Sequence, residues 1–132
     1  MLCSGGSALT TFDDARHLAL SLPETTWDGA WRLSVAGKAF AWSWLERIDP
    51  RMARVPNPDV LVVWVASEEV KFGLAEAEPE KYFTEPHYDG YRAVMVRLPA
   101  ITNVELRDLL TDAWRLRAPR AALKRLEAQP PG

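Results

Sequence analysis

"WRLSVAGKAFAWSWL", residues 31–45, decides the fold class. Trp31, Leu33 and Val35 alternate with Arg32 and Ser34. Past Ala36-Gly37-Lys38 the alternation resumes, with Phe40, Trp42 and Trp44 against Ala41 and Ser43. Successive side chains of a strand point to opposite faces, so a period of two on both sides of a glycine-containing turn reads as a β-hairpin. Trp31, Trp42 and Trp44 are expected to face the helices as core. The alternative is a sheet face that helices leave open, where they would form an apolar patch of the kind that receives a partner or ligand.

Working outward, "VLVVWV" at residues 60–65 is continuously apolar and β-branched, as a strand buried on both faces would be. Residues 46–59 contain Pro50, Pro56 and Pro58 and read as a long irregular loop. A further strand is expected over 93–98, where Val94, Val96 and Leu98 share a side. Helices bracket these strands. Thr11 caps the first, over 12–22, with Asp13 and Asp14 in its opening turn and Phe12, Ala15, Leu18, Ala19 and Leu22 as its stripe. Pro23 ends it, and His17 lies beside the stripe as a solvated residue. Ser67 opens a second helix to about Ala77, and a short turn of helix is expected around Lys81–Phe83. Thr102 or Asn103 caps the last long helix, to about Arg117, striped by Leu106, Leu109, Leu110, Ala113 and Leu116. Trp114 stands on the edge of that stripe as a core anchor, and a short basic helix follows Pro119. The order α-β-β-β-α-β-α, with strands in a run, gives an α+β fold: a two-layer antiparallel sheet with helices on one face.

A chain of 132 residues suits one domain, assigned to 11–128, with flexible tails at 1–10 and 129–132. The net charge of −2 argues against an indiscriminate polyanion binder. Charge is nevertheless uneven: residues 113–132 hold Arg115, Arg117, Arg120, Lys124 and Arg125 against Glu127, a local +4 that leaves −6 for the remainder. Cys3 is the only cysteine, so no intrachain disulfide forms and a reducing, cytoplasmic setting is expected. "MLCSGGSALT" lacks the basic start and apolar run of a signal peptide, and no apolar run is long enough to span a membrane.

No cofactor or metal is expected. Two histidines seventy positions apart and one terminal cysteine make no ligand cluster, and no phosphate loop, dinucleotide fingerprint or nucleophile elbow occurs. His87 and Asp89 are the one candidate acid/base pair, and no nucleophile stands beside them, so the chain is not expected to be an enzyme.

"LSLP" at 20–23, "GKAFA" at 37–41, "KYFTEPHYDGYRAVMVRL" at 81–98 and "LLTDAWRLRAP" at 109–119 resemble the MmcQ/YjbR family over about residues 11–123. The resemblance implies a two-layer α+β domain and carries the description DNA-binding, double wing; it implies no catalytic residues. In that picture the hairpin tip at Gly37–Lys38 is one wing and the loop containing Asp89-Gly90 is the other. Lys38, Lys81, His87 and Arg92 would then face phosphates, Tyr88 or Tyr91 would stack on a base, and Arg117 and Arg120 would add the basic C-terminal segment. The expected function is a non-enzymatic, DNA-binding domain. The alternative is a protein- or small-ligand-binding module that uses the aromatic sheet face.

Overall fold

Caps set the helix starts where the sequence places them. The structure, a computed structural model, describes residues 10–27, 32–46, 51, 55–84 and 92–128. In α1 (Phe12–Leu20) the Asp14 N–H donates to Thr11 Oγ1 at 3.1 Å, and the Thr11 N–H donates to the Asp14 carboxylate at 3.0 Å. This reciprocal box satisfies two N–H groups that a helix end leaves orphaned. Ser67 caps α2 (Glu68–Ala77) by accepting from the Val70 N–H at 3.2 Å. Thr102 and Glu105 form a second box on α3 (Asn103–Arg117). α4 (Arg120–Ala128) is the short basic helix after Pro119.

The strands are β1 (Thr25–Trp27), β2 (Arg32–Val35), β3 (Lys38–Glu46), β4 (Val55–Trp64), β5 (Tyr82–Phe83) and β6 (Ala93–Arg97). Among the described residues they form one six-stranded sheet in the order β1-β2-β3-β4-β6-β5, antiparallel throughout. The expected element order survives, with the short basic helix as α4 and two short strands, β1 and β5, added. Tyr82–Phe83 pairs with Val96 and Met95 as an edge strand, where a turn of helix was expected. The expected loop over 46–59 also shortens, because β4 already begins at Val55. Pro56 and Pro58 fit because β6 pairs with β4 only from Val60 onward, so their segment runs along an edge.

The main core lies between the sheet and the helices. Phe12, Ala15 and Ala19 of α1 and Leu106, Leu110, Ala113 and Trp114 of α3 meet Leu33, Val35, Phe40, Leu61, Val63, Val94 and Val96. Leu74 of α2 and Ala122 of α4 join the same cluster, so all four helices pack on one face. Trp114 is fully buried and its indole N–H donates to the Pro23 carbonyl at 3.1 Å, whereas Leu116, expected in the stripe, is 47% exposed. Thr10, expected in the flexible tail, is buried and donates its hydroxyl to the Ile101 carbonyl at 2.5 Å.

Trp42 and Trp44 do not face the helices. β2 pairs Leu33 with Ala41 but Ser34 with Ala39, which leaves Phe40 as an extra residue in a bulge. One inserted residue shifts the phase of everything beyond it. Phe40 and Ala41 therefore both reach the main core, and the two tryptophans turn to the opposite face. There they lie half-buried against Val60, Val62, Ala93 and Met95, with Phe83 beside them, as a second, smaller cluster. Trp31 lies outside the described residues.

Candidate functional site

Antiparallel register decides which residues share an end of the sheet. The two-residue turn Ala36-Gly37, flanked by the Val35–Lys38 pair, puts Lys38 at one end. Ala41 pairs with Val63, so the start of β3 meets the end of β4. Trp64 pairs with Ala93, so the end of β4 meets the start of β6 and brings Arg92 there. The Val65 N–H donates to the Arg92 carbonyl at 2.7 Å and extends that pairing by one residue. α3 finishes at the same end, where Arg117 Nε donates to the Ala39 carbonyl at 3.2 Å, and α4 starts there at Arg120.

Four of the residues proposed from sequence, Lys38, Arg92, Arg117 and Arg120, therefore share one end of the sheet. Lys38, Arg92 and Arg120 are exposed and make no ion pair with a carboxylate among the described residues; the same is true of Arg115, in the last turn of α3. Arg117 is different. Its guanidinium carbon sits 4.4 Å from the centroid of the Trp64 ring, a cation–π stack, and Nε is committed to Ala39. Arg117 is a half-buried brace between α3 and the sheet, with only the remaining nitrogens of its fork available to an anion.

Lys81 is not part of this cluster. It lies at the far end, where the Arg97 N–H donates to the Lys81 carbonyl. Its Nζ donates to Glu78 Oε1 at 2.9 Å and to Glu105 Oε2 at 2.5 Å. The bond to Glu105, then that to Glu78, raises the Lys81 pKa well above the usual lysine value. The same bond, helped by the Thr102 N–H, holds the Glu105 carboxyl below the usual carboxylate range. A lysine whose charge already meets two carboxylates is poorly placed to recruit a phosphate. His87, Tyr88, Tyr91 and Asp89 lie outside the described residues. His17 is exposed, with Nδ1 2.9 Å from the Asp13 carbonyl.

Beside the basic end is a cleft of about 370 Å³ between α2 and α3. Trp64, Val65 and Ala66 form one part of its wall, Val70 comes from α2, and α3 contributes Leu109, Asp112, Arg115 and Leu116. Sequence reasoning did not find it. The signal was faint: Leu109 and Leu116 sit on the stripe of α3, but only packing shows that the helix turns them toward a gap. Lys71 was missed too. It occupies the inward phase of α2, three residues before Leu74, and is fully buried while its neighbours Val70 and Phe72 are exposed. Its Nζ lies 5.5 Å from the Phe72 ring centroid.

Among the described residues, no three His, Cys, Asp or Glu side chains are grouped to hold a metal ion. Nor is any helix among them long and apolar enough to cross a membrane.

This architecture recurs in the crystal structure of Deinococcus radiodurans protein DR2400, a DUF419 domain, with a TM-score of 0.59 over 92% of this chain and 91% of that one. At 20% identity the likeness shows a shared fold. Two mycobacterial proteins are more similar in sequence: the uncharacterized protein Rv2570 of Mycobacterium tuberculosis and the uncharacterized protein Mb2600 of Mycobacterium bovis. Each is 38% identical over 118 residues, covering 85% of this chain and 92% of its own length. The YjbR family profile matches residues 20–116, from the end of α1 through nearly all of α3. The chain belongs to the YjbR family.

Proposed function

We infer that this chain is a non-enzymatic binding domain that receives nucleic acid at the basic end of its sheet. One observation carries the reading: strand register and the α3 terminus bring Lys38, Arg92 and Arg120 to one end of the sheet, each exposed and without a carboxylate partner among the described residues. Cations left unpaired at a common end are available to phosphates, which position a nucleic acid without reading its sequence. Arg117, stacked on Trp64, supports the platform more than it contacts the ligand. The net charge of −2 repels the rest of a duplex, so affinity is modest, micromolar at best.

The test is a titration with duplex DNA at two salt concentrations. Each phosphate contact contributes about −0.9 to the slope of log K against log salt, so three or four contacts give a slope of about −3 to −4. Lys38→Glu together with Arg92→Glu should weaken binding and flatten the slope by about 2. Absence of binding at low salt, where attraction between exposed charges is strongest, refutes the reading.

A further inference from the structure

The geometry points to a second binding site, in the cleft between α2 and α3, for a hydrophobic α-amino acid: a small molecule whose acid and amine share a carbon that bears an apolar side chain. The site is separate from the nucleic-acid reading and does not depend on it. A volume of about 370 Å³ falls within the size range of small-molecule sites. Its lining is mostly apolar, from Trp64, Val65, Val70, Leu109 and Leu116. Val70 and Leu116 are 42% and 47% exposed, and both are lining residues of this one cleft. Arg117, lying over the Trp64 ring, holds that wall in place.

Two charges identify the polar end of the ligand. Asp112 and Arg115 both line the cleft and stand three residues apart on α3. Residues at that spacing are neighbours on a helix surface and readily pair. Among the described residues these two make no ion pair, with each other or with any other side chain. An anionic ligand would satisfy Arg115 and lie against the Asp112 carboxylate. A cationic ligand would satisfy Asp112 and face Arg115. A zwitterion meets both, with its carboxylate on the arginine fork and its ammonium on the aspartate. Asp112 likewise disfavours a phosphate chain, so the cleft and the basic end select different partners.

The experiment is an amide chemical-shift titration with L-phenylalanine, phenylacetate and phenethylamine at up to millimolar concentration. Phenylalanine should bind saturably and shift residues around Val65, Val70 and Leu116. The acid-only and amine-only compounds should bind about tenfold more weakly, because each leaves one charge unmet. Arg115→Ala should reduce phenylalanine to the affinity of phenethylamine, and Asp112→Asn to that of phenylacetate. Both side chains are exposed, so the variants should fold, and an unchanged circular dichroism spectrum checks this. Lys38→Glu should leave phenylalanine binding intact, which separates failure here from failure of the nucleic-acid reading. The proposal is overturned if phenylalanine leaves these residues unshifted. It is also overturned if the three compounds bind equally, or if an oligonucleotide competes for the cleft.

Discussion

Truncating Trp114 should cost far more than truncating Leu116, although helical periodicity ranks them the other way. Trp114 is fully buried, and its indole N–H reaches the Pro23 carbonyl 91 residues away in sequence. Replacing a buried aromatic by alanine costs about 3–5 kcal/mol. The change also orphans the Pro23 carbonyl, which places Trp114→Ala in the upper half, at about 4–5 kcal/mol. With a urea m-value of about 2 kcal/mol/M, the midpoint should fall by about 2 M. Trp114→Phe keeps a ring but loses the N–H bond, worth about 1 kcal/mol, and part of the buried area, so its midpoint should fall by about 1 M. Leu116 is 47% exposed and lines the open cleft, so Leu116→Ala should cost less than about 1 kcal/mol. Far-UV circular dichroism suits the measurement because five other tryptophans would crowd a fluorescence signal. Equal midpoint shifts for Trp114→Ala and Leu116→Ala at unchanged m would refute the packing of α3 described above.

The ion-pair cluster and the hairpin make further outcomes measurable. Glu105 is held below the ordinary carboxylate range, first by Lys81, so its contribution to stability is present above the usual glutamate value and lost as pH falls through the depressed one. Urea midpoints measured down an acid series should therefore converge for wild type and Glu105→Gln, and curves that stay parallel would contradict the pairing. Lys81 works in the opposite sense: its pKa is raised, so its contribution is complete below the usual lysine value and is lost only as strong alkali is approached. In the hairpin turn Ala36 and Gly37 have φ of 50° and 83°, as a two-residue primed turn requires. Gly37→Ala should destabilise by about 1 kcal/mol or more. Ala36→Gly should stabilise by about 0.5 kcal/mol, since relief of roughly 1–2 kcal/mol of left-handed strain exceeds glycine's added entropy cost. A stabilised Gly37→Ala protein would show that the turn is of another type.

Local order alone determined most of the elements. Thr11, Ser67 and Thr102 cap helices because a side-chain oxygen and the N–H three residues on suffice to start one, and both are written in adjacent sequence. "VLVVWV" could be read as buried on both faces because its apolar run has no polar phase, and the structure divides it accordingly between two clusters. The segments that matched the family motif pointed correctly to the YjbR fold. What the sequence could not show depends on register and closure between distant segments. One extra residue at Phe40 turned Trp42 and Trp44 away from the helices, and no periodicity in β3 announces a bulge whose cause lies in its pairing with β2. Pro56 and Pro58 looked like loop until the pairing limits of β6 made their segment an edge. The basic residues were visible one by one, but only antiparallel register and the packing of α3 on the sheet gathered Lys38, Arg92 and Arg117 at one end and left Lys81 at the other, tied to a glutamate 24 positions away. The cleft of Asp112 and Arg115 is the furthest from sequence, because a gap between helices is set by how both pack on a sheet and by nothing within either helix.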